Sequence, residues 1–432
     1  MPSTTDIRPV LPHARHWVIV FAVSLAVITY IDRVCISKAS PLIQQDLGLT
    51  KQQMGYVFGA FGWAYALFEI PGGWLGDVLG PRKVLMRVVV MWSAFTAATG
   101  WAWNMASLVV CRFFFGMGEA GCFPNITKAF SIWLPAAERV RAQGIVWLSA
   151  RWGGAFTPLL VAWVLGFVSW RWAFVLFGAI GVVWAVCFNR WFRDDPRTHP
   201  KVGAQEMALL DGAAQNAVGH GSVPWGKLVT NRSVWLLWAQ YFCMSCPWSF
   251  FITWMPTYLN ETFPQLTEME RTLLNCIPLF FCGLGSIFCG LISAPLACKL
   301  GSVATTRRLM GALGLGFAAA MLAVAIQLKD PLLSVLAIGL AAFGNDLSMP
   351  GAWGACMDVG GRFAGSLSGS MNMMGNAGGA VTPMIVPLVL TMTHNNWHAN
   401  FWVFAGIYLL GALCWVFLDP VTSLETEMEV TA

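Results

Sequence analysis

HWVIVFAVSLAVITYIDRVCIS, residues 16–37, decides the class of fold. From Trp17 to Ile31 the run holds no charged side chain, and its length matches the roughly 20 apolar residues a helix needs to cross a bilayer. It then carries Asp32 and Arg33 side by side. An ionised side chain near the bilayer centre costs about 3 kcal/mol or more, so such residues persist where they meet partners and do work. One stretch therefore predicts both a membrane-spanning helix and a charged site inside it.

The rest of the chain agrees. Of 432 residues, 57% are hydrophobic and only 11% are charged, and the mean hydropathy is +0.63. A soluble domain carries about 25% charged residues, so most of this surface faces something other than water. The 23 Trp and 29 Phe suit a lipid-facing area with interfacial anchors. The net charge of +5 is spread singly or in pairs between apolar stretches, which argues against a nucleic-acid surface. Twelve scattered cysteines read as small hydrophobes within helices.

Further apolar runs of membrane length follow at 54–75, 84–103, 107–130, 142–166 and 171–192, and again at 232–258, 272–297, 306–328, 331–356, 362–392 and 400–419. The expected organisation is a tail at 1–15, six helices over 16–192, a polar linker at 193–231, six helices over 232–419 and a tail at 420–432. The fold class is all-α integral membrane. Basic residues set orientation: Arg8, Arg15, Arg82, Lys83, Arg87, Arg139, Arg141, the 190–232 stretch, Lys299, Arg307, Arg308 and Arg362 fall on one side. Lys38, Lys51, Arg171, Arg271 and Lys329 fall on the other. Both termini and the linker are therefore expected in the cytoplasm. The first run is long enough to remain as a helix rather than be cleaved as a signal.

Ionisable residues deep in spans are Asp32, Arg33, Glu69, Arg112, Glu119 and Arg151 in the first half, and Asp346 in the second. Arg112 and Glu119, seven apart, share one helix face. At a rise of 1.5 Å per residue, Arg112 lies roughly 10 Å outward of Glu119, and Asp32 and Arg33 roughly 7–9 Å outward of their helix centre. The four are expected in one layer, gathered in a shared chamber. Two acids and two bases neutralise each other when the site is empty; an anion then competes for the arginines, and the acids take up protons. Arg151 has no acid nearby in sequence, which leaves a ligand or Glu119 as its partner. Salt bridges that merely fix helix packing are the alternative for each pair. No metal site is expected: Cys243 and Cys246 lie in an apolar run without a second ligand pair, and His394 and His398 sit at a helix end among Asn and Trp.

At these residues a family becomes recognisable. Gly73-Trp-Leu-Gly-Asp77-Val-Leu-Gly80-Pro-Arg82-Lys83 resembles the loop between the second and third helices of the major facilitator superfamily, where the acid and bases latch two six-helix bundles; the resemblance implies a gating role for Asp77 and Arg82. The corresponding Gly290-Leu-Ile-Ser-Ala-Pro295 lacks the acid. Tyr30-Ile-Asp32-Arg33, Trp63-Ala-Tyr65, Ile70-Pro-Gly-Gly, Arg112-Phe-Phe-Phe-Gly-Met-Gly-Glu119-Ala-Gly-Cys-Phe-Pro124-Asn125, Trp133-Leu-Pro-Ala-Ala-Glu138-Arg139, Pro350-Gly-Ala-Trp353 with Asp358, and Gly369-Ser-Met-Asn372-Met-Met-Gly-Asn376 resemble its anion:cation symporter branch of hexuronate, galactonate and glucarate transporters and the vesicular glutamate and sialic acid carriers. The resemblance implies proton coupling at Asp32 and Glu119. It also implies substrate binding at Tyr30, Arg33, Tyr65, Arg112, Trp353, Asn372 and Asn376. Arg151 joins this set, in a place where many sugar-acid members carry Gln; an added guanidinium favours a dicarboxylate.

The expected function is proton-coupled symport of a sugar acid in a bacterial inner membrane, by a monomer whose partners are a small organic anion, the proton and the bilayer, with no cofactor and no metal. The alternative is a carrier or exporter of another anion such as phosphate or a monocarboxylate. No G-x-S-x-G or H-E-x-x-H pattern supports an enzyme.

Overall fold

The computed structural model describes residues 14–214, 223 and 225–424. Arg8, most of the tail expected at 1–15, residues 425–432 and positions 215–222 and 224 of the expected linker lie outside the described residues. The first half comprises α1 (Ala14–Leu47), α2 (Lys51–Leu79), α3 (Pro81–Thr99), α4 (Met105–Glu119), α5 (Cys122–Trp133), α6 (Ala136–Leu165) and α7 (Trp170–Trp191). Two short helices, α8 (Ala204–Ala214) and α9 (Trp225–Thr230), lead to the second half. That half comprises α10 (Arg232–Thr253), α11 (Met255–Thr262), α12 (Glu268–Leu300), α13 (Val303–Gln327), α14 (Pro331–Gly360), α15 (Ala364–Met392) and α16 (Trp397–Phe417).

The helix ends follow local chemistry. Thr50 with Gln53, Asn104 with Ser107 and Thr267 with Glu270 form reciprocal capping boxes at the starts of α2, α4 and α12. The fourth expected span, 107–130, is in fact two helices. Gly121 adopts a left-handed φ of 82°, and its neighbour across the bundle leaves no room for a side chain: a Cβ on Gly72 would lie 2.7 Å from the Gly121 Cα. The break places Glu119 at the last turn of α4. Span seven likewise divides, at Trp254 between α10 and α11. Non-helical backbone at membrane depth is tolerated where it is buried in protein.

Within the first bundle α1 packs on α6 and α7, α2 on α4, and α3 on α4 and α7; within the second, α12 and α13 pack on α14, and α10 on α15 and α16. The bundles meet chiefly at α2 against α15 and α6 against α12. These crossings are tight and made by glycines. A Cβ on Gly73 would lie 2.2 Å from the Gly365 carbonyl oxygen, and one on Gly144 would lie 2.6 Å from that of Ser286. All these approaches fall in the helix halves nearer the linker, whereas added Cβ atoms on Gly55, Gly59 and Gly62 at the other end of α2 would meet nothing. The molecule is closed on the linker side and opens away from it.

Gly73→Ala places a methyl group against backbone that has nowhere to go. Overpacking of this kind costs about 1–3 kcal/mol, here only in the conformer closed on the linker side. A bias of that size shifts a two-state equilibrium roughly 5–150-fold. Initial uptake rates in vesicles are expected to fall at least about fivefold, with protein yield little changed; a rate within twofold of the parent would show that α2 and α15 do not need this contact.

The linker is seated on the first bundle. Asp194 accepts a hydrogen bond from the Arg82 backbone N–H (2.8 Å), and Trp133 Nε1 donates to the Arg193 carbonyl (2.9 Å). Arg15 pairs with Glu138 at 2.9 Å. His199 sits between the rings of Trp133 and Trp191, at 5.3 and 4.8 Å, and burial there holds its pKa below the usual imidazole value.

Candidate functional site

Tyr30 and Arg33 lie one turn apart on α1, so both reach the space between the bundles. The Arg33 guanidinium carbon stands 4.8 Å from the Tyr65 ring centre, 5.2 Å from Phe61 and 5.5 Å from Tyr30, a collar of π faces suited to a cation. Its Nε and Nη2 both donate to Glu119 Oε1, at 3.0 and 2.6 Å. Glu119 is wholly buried while a quarter of the Arg33 side chain is exposed, so the cavity meets the cation and not the acid. A carboxylate at a helix C-terminus sits against the negative end of the macrodipole, which leaves Glu119 dependent on Arg33 and, more weakly, on Arg112.

Asp32 follows by about 100° around the same helix and faces the bundle interior. It is 1% exposed, and it is attracted by Arg112 and repelled by Glu119. Arg112, 2% exposed, lies over the Phe115 and Phe61 rings at 4.2 and 5.1 Å. The four charges expected in one chamber are unequally placed: Arg33 lines the cavity, whereas Asp32, Arg112 and Glu119 are buried behind it, with Glu119 attracted by Arg112 as well as by Arg33. Arg112 does not line the cavity, because its helix turns that face toward α1 and α2 rather than toward the second bundle.

Arg151 does line the cavity, and its partner is neither Glu119 nor a vacant place. Its Nε and Nη2 donate to Asp346 at 2.9 and 3.2 Å, across the bundle boundary from α6 to α14. Ser286 and Asn345 also donate to Asp346, at 3.1 and 2.9 Å, and the guanidinium carbon lies 4.5 Å from the Trp248 ring centre.

The cavity between the bundles opens into a space of about 600 Å³ that includes solvent at its mouth. Tyr30, Arg33, Tyr65, Arg151, Asn372 and Asn376 all line it. Asn372 donates to Glu69 Oε1 (2.7 Å) and to the Tyr65 hydroxyl (3.3 Å), tying α15 to α2, and Asn376 donates to the Asn372 carbonyl (2.9 Å). Glu69 is wholly buried at this boundary. Trp353 is not on the wall: it lies tilted against Trp147 at 5.4 Å and donates from Nε1 to the Tyr241 hydroxyl at 3.1 Å, so it positions Tyr241, which does line the cavity. Tyr241, Trp147 and Trp248 have no sequence signal that separates them from other aromatic residues of the spans.

Two acids close the linker side. Asp77, on α2, accepts from the backbone N–H groups of Gly365 (3.0 Å) and Ser366 (2.6 Å) at the start of α15, and lies 3.3 Å from Lys128. That is an anion on a helix N-terminus of the other bundle. Asp358, at the end of α14, pairs with Arg139 of the first bundle and with Arg307 of the second (2.5 Å). The second latch is therefore present, built on Asp358 rather than on the Gly290–Pro295 segment. Arg82 bonds to the Asn189 carbonyl (2.5 Å) and so stays within its own bundle.

Several known proteins are similar. A probable sulfoacetate transporter of Cupriavidus necator is 33% identical over 418 residues, covering 96% of both chains. A D-galactonate transporter of Escherichia coli is 30% identical over 94% of this chain and 95% of its own. A probable galactarate/D-glucarate transporter of Escherichia coli K12 is 29% identical over 96% and 97%. In fold, the chain resembles the proton:xylose symporter XylE, with a TM-score of 0.76 at 13% identity over 96% of this chain and 98% of that one. The human organic anion transporter MFSD10 follows at 0.69 and 14%, over 93% and 99%. The profile of one family matches residues 22–383, a stretch that runs from α1 into α15 and holds both latches and the residues lining the cavity; the chain belongs to the Major Facilitator Superfamily.

Proposed function

We propose that the protein is a proton-coupled symporter of a small organic anion of the sugar-acid class, working by alternating access between its two bundles. The observation that carries this reading is Arg33, offered to the cavity while its acidic partner Glu119 is buried behind it. An anion entering from the open side competes for Arg33. Once the anion holds Arg33, Glu119 keeps only the weaker attraction of Arg112 in a dry site, and a proton is the charge that restores balance. Asp32, countered by Arg112, is the second coupling acid.

Tyr65, Tyr241, Asn372 and Asn376 supply donors and acceptors for hydroxyl groups, which an apolar cargo does not need. Closure of the open side and release of the Asp77 and Asp358 latches carry the cargo across, with Arg82 holding the α2–α3 loop to its bundle. The tails at 1–15 and 420–432 and the linker at 193–231 face the cytoplasm in this reading, with bundles 16–192 and 232–419 in a bacterial inner membrane and the monomer as the working unit. The relatives named for sugar acids favour the same substrate class.

Purified protein in proteoliposomes tests this. With an inward proton gradient, uptake of one labelled sugar acid from a panel of hexuronates, aldonates and aldarates is expected, abolished by a protonophore. Uptake of none of them, or uptake indifferent to the gradient, overturns the reading.

A further inference from the structure

Arg33 and Arg151 are built alike on two sides of one cavity. Each directs Nε and Nη2 to a wholly buried acid, Glu119 or Asp346, and neither Nη1 makes a hydrogen bond among the described residues. Each guanidinium lies against aromatic faces of the wall, Tyr65 for one and Trp248 for the other. Tyr30 stands between them: Arg33 lies over its ring, and Gly154, one turn beyond Arg151 on α6, abuts the same ring. A buried ion pair is a weak source of stability compared with apolar packing. Two such pairs on a cavity wall therefore call for a reason in what the cavity holds.

We propose that Arg151 and Asp346 form a second anion subsite, with Asp346 holding the place that the second anionic group of the cargo takes. The inference rests on the transport reading and deepens it: the preferred cargo is a short dianion, one end on Arg33 and the other on Arg151. Asp346 is suited to be the resident substitute. Ser286 and Asn345 donate to it, so its charge stays partly satisfied when Arg151 is drawn away. Because Arg151 belongs to α6 and Asp346 to α14, a dianion replaces an ion pair between the bundles with one between a bundle and the cargo, whereas a monoanion on Arg33 leaves that pair closed.

The experiment is binding to the purified full chain, measured for a matched set: an aldarate, the aldonate of the same carbon number, and a carboxylate–sulfonate of similar length. The readout is the ratio of aldonate Kd to dianion Kd. The wild type is expected to favour the aldarate at least tenfold; the sulfonate arm shows whether the second group must be a carboxylate. Asp346→Asn removes the resident competitor and is expected to widen the ratio about tenfold. Removing both charges together, Arg151→Gln with Asp346→Asn, avoids stranding a buried charge and is expected to collapse the ratio to within threefold of unity. A latch that only holds the bundles together would change both affinities alike and leave the ratio fixed in both variants. That result, or a wild type that prefers the aldonate, overturns the second subsite while transport stands. A wild type that neither binds nor moves any of the three removes the transport reading with it.

Discussion

Arg33→Gln, made together with Glu119→Gln, is expected to weaken anion binding at least about 25-fold. The double change is the informative one. Removing Arg33 alone strands a buried carboxylate, a change worth about 3–5 kcal/mol against the fold, and loss of binding would then report loss of structure. With both charges gone, the pair is replaced by amides of similar shape, and what disappears is the charge-assisted contact to the cargo. Truncating one partner of a desolvated charge pair costs about 2–5 kcal/mol, and each 1.4 kcal/mol is tenfold in affinity. Arg33 is the better exposed of the two guanidinium groups on the cavity wall, at 24% of its side chain against 4% for Arg151. Isothermal titration of the purified protein measures the change. A Kd within threefold of the wild type would mean that the cargo is held elsewhere, and Arg112 would not be a substitute, because it is 2% exposed and does not line the cavity.

The contrast between Arg33 and Arg112 shows what the sequence carried and what it did not. Span positions were legible because hydrocarbon forces long runs without charge, and the sparse exceptions, Asp32, Arg33, Glu119, Arg151 and Asp346, all lie at the bundle centres or boundary. Spacing along each helix was legible too, since helical rise is fixed. Azimuth was not. Spacing puts Arg112 and Glu119 on one face of α4 but does not say which neighbour that face meets, and packing turned it into the first bundle. Adjacent positions separated in the same way, Asp32 inward and Arg33 toward the cavity, from the 100° step between them.

Partners far apart in the chain were illegible for a different reason. Asp346 lies 195 positions from Arg151, and Asp358 lies 219 from Arg139, so nothing local marks either pair. Each becomes a contact only once α14 is laid beside α6. The division of span four could not be read from apolar length, which runs unbroken through it; the signal was Gly121 immediately after the buried acid, a residue able to take the left-handed turn there. Trp353 matched a cavity motif but sits one layer back, where its indole N–H orients Tyr241.

Glu119→Gln alone is expected to separate binding from energy coupling. Gln is neutral at every pH and has nearly the shape of the protonated acid, so the variant is held in the state that the proton creates in the wild type. Arg33 is then free of its competitor, and anion affinity is expected to be equal to or tighter than that of the wild type. The pH dependence supplies the sign. If the anion binds together with a proton, Kd in the wild type rises with pH wherever the empty site has lost that proton and the loaded site keeps it, approaching tenfold per pH unit for one coupled proton by linkage. In Glu119→Gln the slope should fall by that one proton, leaving only what Asp32 contributes. In proteoliposomes, exchange of external for internal anion should continue, since it needs no net proton movement, while accumulation driven by a pH gradient should disappear. Accumulation equal to the wild type would show that Glu119 does not carry the proton. It would leave the Arg33–Glu119 pair as a packing device, and the coupling would have to run through Asp32, the buried acid behind it.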